Sequence, residues 1–196
     1  LMQFKFMPKD NGIKFLFKAH GCMYFHPINP CFFLLFLYFF PKMALAGKLI
    51  TELGIKTPAD KFFKLFASEL HELQNHCEHI HEARLHEGDD WHDTDSVKHW
   101  TYVIDGEVHT CHETIEEVDE ENKKMTWKMF GGDIDKHYKV FKLILEVSDK
   151  ADDGTAVVKW TVEYEKINED ANPPNAHMDF LRKNTEDVEA NLVKEM

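Results

Sequence analysis

Histidine is abundant in this chain, and imidazole is a common side chain for binding metals or moving protons near neutral pH. The sequence contains 13 histidines, and several lie close to cysteines at spacings that place neighbouring ligands on one face of a strand. These candidate ligands are His76, Cys77, His79 and His81, followed by His109 and Cys111. Zinc sites usually combine two close pairs such as Cys-x₂-Cys, and that arrangement is missing. We predict scattered surface histidines, no bound metal, and a ligand affinity that changes with pH.

A second chemically distinctive segment is the acidic stretch from Glu87 to Ser96. Glycine-rich loops bind phosphate when successive backbone N–H groups converge, but this stretch keeps only Gly88. Its five carboxylates, which would repel a phosphate, belong to Glu87, Asp89, Asp90, Asp93 and Asp95. The spacing also lacks the glycine and the terminal glutamate of an EF-hand calcium loop. We predict a solvated acidic loop that binds neither nucleotides nor calcium.

The sequence contains no clear catalytic motif. There is no Gly-x-Ser-x-Gly elbow and no Walker phosphate loop. Lys98 with Glu113 or Tyr102 could act as a lysine–carboxylate or lysine–phenol pair. We therefore predict a protein without catalytic residues or a cofactor, and keep an enzyme using Lys98 as an alternative.

Large apolar side chains alternate along the predicted strands that would position any site. Two long strands, each preceded by an Asp- and Gly-containing turn, place their apolar residues on one face. A shorter strand at residues 97–104 and the alternating set Met125, Trp127 and Met129 do the same, and Lys98 shares the inward face of the first. The inward set is Lys98, Trp100, Tyr102, Met125, Trp127, Met129, Phe141, Leu143, Leu145, Trp160, Val162 and Tyr164. Such a set is typical of a packed core, and equally of the wall of an apolar cavity. Lys98 could meet a ligand carboxylate there or reach water at the strand end.

A long amphipathic helix is predicted after Pro173-Pro174. Its apolar stripe contains Met178, Leu181, Val188 and Leu192, with Thr185 inside it. This helix must bury the stripe against an apolar partner, and the sheet face is available. Met178 and Leu181 would then form part of a lid over the inward-facing residues. Sheet and helix together predict an apolar interior.

The remaining elements indicate an α+β domain. A strand over residues 47–55 precedes a short helix, for which Thr57 is predicted as the N-cap and Pro58 as the first turn. The helix could continue or be followed by a second one. Asp105-Gly106 predicts a tight hairpin. The segment after it has apolar residues at helical spacing, yet the flanking turns favour a strand with a bulge. Strands and helices in this order are α+β rather than α/β.

The first 42 residues differ from the rest of the chain. They carry a net charge of +4 and the remainder −16, which together give the −12 of the whole chain. An acidic domain disfavours nucleic acid and anionic membranes. The apolar run at residues 31–40 is shorter than the ~20 residues of a membrane span. Residues 1–46 could be a signal peptide, but the long lysine-containing start favours an atypical extension, with Met43 as the functional start. Two widely spaced cysteines in residues 43–196 fit a reducing compartment, so we predict a cytoplasmic protein.

Several motifs resemble one known family. They are Ile55-Lys-Thr-Pro-Ala-Asp-Lys-Phe-Phe63, Glu87-Gly-Asp, Gly132-Asp133, Tyr138-Lys-x-Phe-Lys142, Trp160-Thr-Val-Glu-Tyr-Glu-Lys-x-Asn-Glu-Asp170, and Pro174-Asn175 followed by Asp179-Phe180. Residues 43–194 thereby resemble the major latex protein-like branch of the birch-pollen-allergen superfamily, the class-ten pathogenesis-related proteins of plants. The tryptophan-to-aspartate run is the most specific of these motifs.

The resemblance implies the helix-grip fold, in which a seven-stranded antiparallel sheet wraps around a long C-terminal helix with two short helices. It also implies a large hydrophobic cavity for a hydrophobic or amphipathic small molecule, such as a lipid, sterol, flavonoid or hormone-like compound. The expected role is sequestration or transport of this ligand in plant defence or stress. Three alternatives stay open: an enzyme acting on a small aromatic substrate, a weak ribonuclease, or a metal-binding stress protein. The acidic loop disfavours the ribonuclease.

Overall fold

The computed structural model describes residues 17–19, 22–24, 44–150 and 154–194. The chain divides into two units, Leu1–Met43 and Ala44–Met196. In the first unit, β1 (Phe17–Ala19) pairs with β2 (Cys22–Tyr24) in an antiparallel hairpin. Most of the predicted signal peptide, the apolar run at 31–40, the start at Met43 and most of the turn at 152–154 lie outside the described residues. In the described part of the chain, no helix is long and apolar enough to cross a membrane.

The second unit is built on a seven-stranded antiparallel sheet, which confirms the predicted fold class. The strands are β3 (Ala46–Ile55), β4 (Ile80–Glu87), β5 (Val97–Ile104), β6 (Glu107–Asp119), β7 (Lys124–Phe130), β8 (Tyr138–Lys150) and β9 (Thr155–Lys166). Their order in the sheet is β3-β9-β8-β7-β6-β5-β4. All of the strands from β4 to β9 pair with their neighbours in sequence, and β3 returns to pair with β9.

The hairpin between β5 and β6 forms where Asp105-Gly106 predicted it. Both residues have positive φ, 52° and 82°, as a two-residue hairpin turn of this type requires. Strand β6 also contains the predicted bulge, at the register shift between Ile115 and Glu117. The bulge explains the misleading helical spacing of its apolar residues. Because it inserts one extra residue, Val118 pairs with the inward-facing Met125 and lies on the same face as Ile115, three residues earlier, although 38% of its surface is exposed.

Three helices complete the domain: α1 (Ala59–Ser68), α2 (Leu73–His76) and α3 (Asn175–Lys194). A 3₁₀ turn, Leu70–Glu72, separates the two short helices, so the predicted second helix is distinct from the first. The predicted N-cap of α1 is wrong. Pro58 occupies the cap position, and the buried Thr57 hydroxyl has no hydrogen-bond partner among the described residues. Asp149 of β8 instead accepts a hydrogen bond of 3.4 Å from the first helical N–H, that of Ala59.

The core lies between the concave sheet and the helices. Helix α1 buries four large side chains, Phe62, Phe63, Leu65 and Phe66, and it contacts β8 and β9. Helix α3 contacts β3, β5 and β9 as well as both short helices. Its buried stripe consists of Met178, Leu181, Asn184, Thr185, Val188 and Leu192. The predicted apolar stripe is thus correct, and one polar residue, Asn184, joins it.

Candidate functional site

A cavity of about 90 Å³ lies in the interior, between the sheet and the helices. That volume is several times what one water molecule needs, but it is below the ~300–1,000 Å³ of typical ligand sites. Most of its wall is apolar or aromatic. Eight of the residues predicted from the sequence line it: Trp100, Tyr102, Trp127, Met129, Phe141, Leu143, Trp160 and Leu181. The structure therefore brings the inward faces of β5, β7, β8, β9 and α3 together around one space.

An aromatic cluster occupies much of the interior. The rings of Trp127 and Trp160 are 6.0 Å apart, and Phe66 packs against both, at 6.1 and 5.6 Å. Two of these contacts are edge-to-face, an arrangement that aromatic quadrupoles favour. Three bulky rings thus meet at the cavity wall, and the cavity is smaller than the large one that the family resemblance implies.

Six predicted site residues do not line the cavity. Met125, Leu145 and Val162 are fully buried in the packed core around it, and Met178 is buried in α3. Tyr164 is half-buried and packs edge-to-face against Tyr138 at 6.0 Å. Lys98 is also fully buried, but its amine points to a loop rather than into the cavity.

The Lys98 amine holds the acidic loop in place. It donates hydrogen bonds to the backbone carbonyls of Asp93 at 3.1 Å and Ser96 at 3.2 Å. The five predicted carboxylate residues of this loop are exposed, as expected of a solvated acidic segment. Trp91 of the same loop packs edge-to-face on Trp100 at 6.2 Å, so the loop also touches a wall residue of the cavity.

Sequence reasoning missed eleven residues of the cavity wall. From the segment of short helices and its continuation into β4 come Phe66, Leu70, Leu73, Cys77 and Ile80. The others are Cys111, Glu113, Ile134, His177, Phe180 and Asn184. The helical apolar pattern of α1 could have identified Phe66, because that face must also be buried. Nothing in the hydropathy pattern identifies Glu113 or Asn184, since charged and amide side chains normally lie outside.

Glu113 is the most unusual residue of the wall. It lies in β6 directly opposite Lys98 of β5, and it is buried. Burial raises the pKa of its carboxyl to about 8, and the nearby ammonium of Lys98 and the side chain of Trp100 oppose that rise only in part. Desolvation in turn lowers the pKa of Lys98. The wall therefore includes a carboxyl that holds its proton far more tightly than an exposed glutamate does.

His177 of α3 closes the cavity at the end where Phe141 and Tyr138 lie. Its ring centroid is 5.0 Å from that of Phe141 and 6.3 Å from those of Tyr102 and Tyr138. Desolvation lowers the pKa of His177 to about 4, with smaller contributions from His109 and His137. The imidazole is therefore uncharged near neutral pH, which suits an apolar wall.

The candidate metal ligands are not assembled into a site. Within the described ranges, no group of three or more His, Cys, Asp or Glu side chains has the geometry to hold a metal ion. Cys77 and Cys111 are buried, free of disulfides, and part of the cavity wall. Burial raises the pKa of Cys77 to about 12 and also raises that of Cys111, so both remain thiols. The histidines that do cluster are others: the ring of His112 is 4.6 Å from that of His86 and 5.3 Å from that of His99.

Comparisons with known proteins agree with this architecture. Residues 44–195 match the model of the pathogenesis-related protein Bet v 1 family. MLP-like protein 31 of Arabidopsis thaliana is 36% identical over 153 residues, which are 78% of this chain and 89% of that protein. MLP-like protein 28 of the same plant is 35% identical over 153 residues, but the chain spans only 45% of its length.

A solved structure gives the same answer. The crystal structure of ginseng major latex-like protein 151 from Panax ginseng superposes with a TM-score of 0.71 at 36% sequence identity, covering 76% of this chain and 98% of that one. The fold, the matched residues and the level of identity all point the same way. The chain therefore belongs to the Bet v 1 family of pathogenesis-related proteins, and to its major latex protein-like branch.

Proposed function

We propose that this protein binds a hydrophobic small molecule in its internal cavity and sequesters or transports it. One observation carries the proposal: a cavity of about 90 Å³ in the core, with a wall made almost entirely of aromatic and aliphatic side chains. Well-packed domains leave few voids larger than a water molecule. A space of this size costs stability unless something fills it, because the surrounding side chains lose contacts on one side.

The chemistry of the wall favours an apolar ligand with an aromatic or planar part. Trp100, Trp127 and Trp160 offer flat rings to stack on, and a ligand placed among them would leave water for an apolar surface. Membership of the Bet v 1 family supports the same function, since its members generally bind hydrophobic ligands. Ligands of the size of a sterol or flavonoid require the aromatic cluster or helix α3 to move apart.

We place this binding function in plant defence or stress physiology and in the cytoplasm. The family is one of pathogenesis-related proteins, which supports the first part. Two buried, free cysteines in the cavity wall support the second, because unpaired thiols suit a reducing compartment. The enzymatic alternative would need the Lys98 amine in the cavity, whereas that amine bonds two loop carbonyls.

The proposal is tested by titrating the full chain with small aromatic probes such as toluene, phenol and indole, and measuring the heat of binding. Phe141→Leu and Leu143→Phe alter the wall by a small amount in opposite directions. The first enlarges the cavity and the second fills it, so we expect the second to weaken binding of every probe several-fold. Far-ultraviolet circular dichroism verifies that both variants are folded.

Val108→Ala is a suitable control, because Val108 lies on β6 with 63% of its surface exposed and away from the cavity. It should leave every affinity unchanged. Absence of binding by all probes, or equal binding by Leu143→Phe and the parent protein, would contradict ligand binding in this cavity.

A further inference from the structure

We propose that Glu113 is a specificity-determining anchor, which selects uncharged ligands that carry a hydroxyl or N–H donor, in a cavity whose wall rejects carboxylates. The inference deepens the proposed function and rests on it, because it concerns what the same cavity accepts. It assigns a chemical role to a residue that hydropathy alone places outside the core.

The register of the sheet sets Glu113 between two tryptophans. It pairs with Lys98 on β5 and with Met129 on β7. Two residues further along each ladder stand Trp100, which pairs with Cys111, and Trp127, which pairs with Ile115. Diagonal neighbours across a strand pair are within reach of long and aromatic side chains. The carboxyl therefore lies in the wall with an indole on either side.

Four wall residues carry a buried polar atom without a well-formed hydrogen bond to the described chain, although the Trp100 indole lies close enough to the Glu113 carboxyl to lower its pKa. The acceptors are Oε1 of Glu113 and Oδ1 of Asn184, and the donors are Nε1 of Trp100 and Nε1 of Trp127. All four residues are at least nine-tenths buried. Buried polar atoms without partners are rare in native proteins, because each one loses its hydrogen bonds to water.

A hydroxyl group matches this arrangement. It can donate its proton to the Glu113 carboxyl and accept a hydrogen bond from a neighbouring indole N–H. An N–H group can donate to the Glu113 carboxyl, but it cannot accept a hydrogen bond from an indole N–H. A wholly apolar ligand leaves these atoms unsatisfied, and sites built to hydrogen-bond a ligand discriminate strongly against analogues without the matching group.

An anionic ligand does not match. The ammonium of Lys98, the cation nearest to Glu113, already donates to the carbonyls of Asp93 and Ser96. A ligand carboxylate would therefore be buried in an apolar wall without a free cation to pair with it, and burying an unpaired charge has a large cost. Burial also raises the pKa of Glu113, so near neutral pH it is largely protonated and can still accept through its carbonyl oxygen.

The test compares probes of equal size on the unaltered full-length protein at pH 7. Phenol and toluene differ by a hydroxyl, indole and benzofuran by an N–H donor, and benzoate supplies the anion. Calorimetric titration should give an affinity at least about tenfold higher for phenol than for toluene and for indole than for benzofuran, as one hydrogen bond to an otherwise unsatisfied group predicts. Benzoate should bind at least about tenfold more weakly than phenol.

Two variants identify Glu113 as the cause. Glu113→Met removes the acceptor, so the preference within each pair should fall to less than about threefold while toluene binding is retained. Glu113→Gln keeps a carbonyl acceptor and cannot ionise, so the donor preference should persist and benzoate should still bind more weakly than phenol. Glu117→Gln makes the same change on the same strand at an exposed position and should alter nothing.

The outcomes separate this inference from the proposed function. If toluene and benzofuran bind as tightly as phenol and indole, the cavity binds ligands but Glu113 does not select them, and the inference fails. A donor preference that survives Glu113→Met unchanged also overturns it. If none of the probes binds, the proposed function itself fails and the inference with it.

Discussion

The indole N–H of Trp160 donates a hydrogen bond of 2.9 Å to the hydroxyl of Thr185, and this hydroxyl donates in turn to the carbonyl of Leu181 at 2.8 Å. The chain of two bonds joins strand β9 to helix α3 across the buried interior. It explains why a threonine interrupts the apolar stripe of α3. The ring of Trp160 forms part of the cavity wall, so the same bond fixes the orientation of a wall residue.

Thr185→Val should therefore destabilise the protein although it replaces a buried polar group by an apolar one of similar shape. The substitution leaves the indole N–H of Trp160 buried without an acceptor, and we expect the free energy of unfolding to fall by about 1–3 kcal/mol. Urea unfolding measures this loss. Trp160→Phe removes the donor, so the double variant should lose less than the sum of the two single changes. Strict additivity would contradict a coupling between the two residues.

The sheet and the long helix were predictable because the apolar residues of each element recur on the one face that is buried in the core. The inward residues of β8 and β9 alternate over a long run, and a one-residue slip would expose all of them. The hairpin at Asp105-Gly106 and the helix after Pro173-Pro174 follow from backbone preferences that act locally. Elements of this kind can be predicted without knowledge of the tertiary structure.

The polar part of the cavity was not predictable, because it depends on contacts between distant elements. Strand β6 looked helical because a charged residue, Glu113, occupies an inward position and the bulge places Val118 on the face of Ile115, three residues earlier. The orientation of the Lys98 amine depends on a loop that no periodicity describes. Cavity volume depends on how the rings of Phe66, Trp127 and Trp160 meet, and residue types alone do not specify that.

Stability should fall as the solution becomes alkaline, and Glu113 should be responsible. Its pKa is raised by burial from 4.5 to about 8, so between these values the folded state holds a proton that the unfolded state has lost. The free energy of unfolding then decreases with rising pH by up to about 1.4 kcal/mol per unit, and levels off above pH 8. Urea unfolding at pH 5, 6, 7 and 8 measures this slope. Glu113→Gln should flatten it, and a variant with the parent's slope would show that another group is titrating.

Acidification should destabilise the protein through His177. Desolvation lowers its pKa from 6.5 to about 4, so between these values the unfolded state binds a proton that the folded state excludes. A neutral His177 contributes fully to stability above pH 6.5. This contribution is lost as the pH falls, and the loss in the free energy of unfolding amounts to about 3 kcal/mol below pH 4. His177→Gln should lose that much less stability between pH 7 and 4. Parallel curves for the two proteins would rule out this role.

Gly132 should tolerate no side chain. It has a φ of +54°, and a Cβ there would lie 2.1 Å from the carbonyl oxygen of Thr110. That same oxygen accepts a hydrogen bond of 2.9 Å from the N–H of Asp133, so it is not free to move. We expect Gly132→Ala to lower the free energy of unfolding by about 3 kcal/mol or more, as measured by urea or thermal unfolding.

Gly106→Ala is the matched control for this prediction. Gly106 also has a positive φ, +82°, but a Cβ there meets no atom of the described chain within 4 Å. Only the backbone strain remains, at about 1–2 kcal/mol. Equal losses in the two variants would mean that strain alone, rather than the clash with Thr110, determines the cost at Gly132.

Native mass spectrometry of the full-length protein, purified gently at neutral pH from tissue that produces it, tests ligand binding most directly. We expect a complex with one small molecule per chain, released by mild collision as an uncharged organic compound that carries a hydroxyl or N–H group. A protein that arrives empty, and stays empty after incubation with excess phenol and indole, would contradict this expectation.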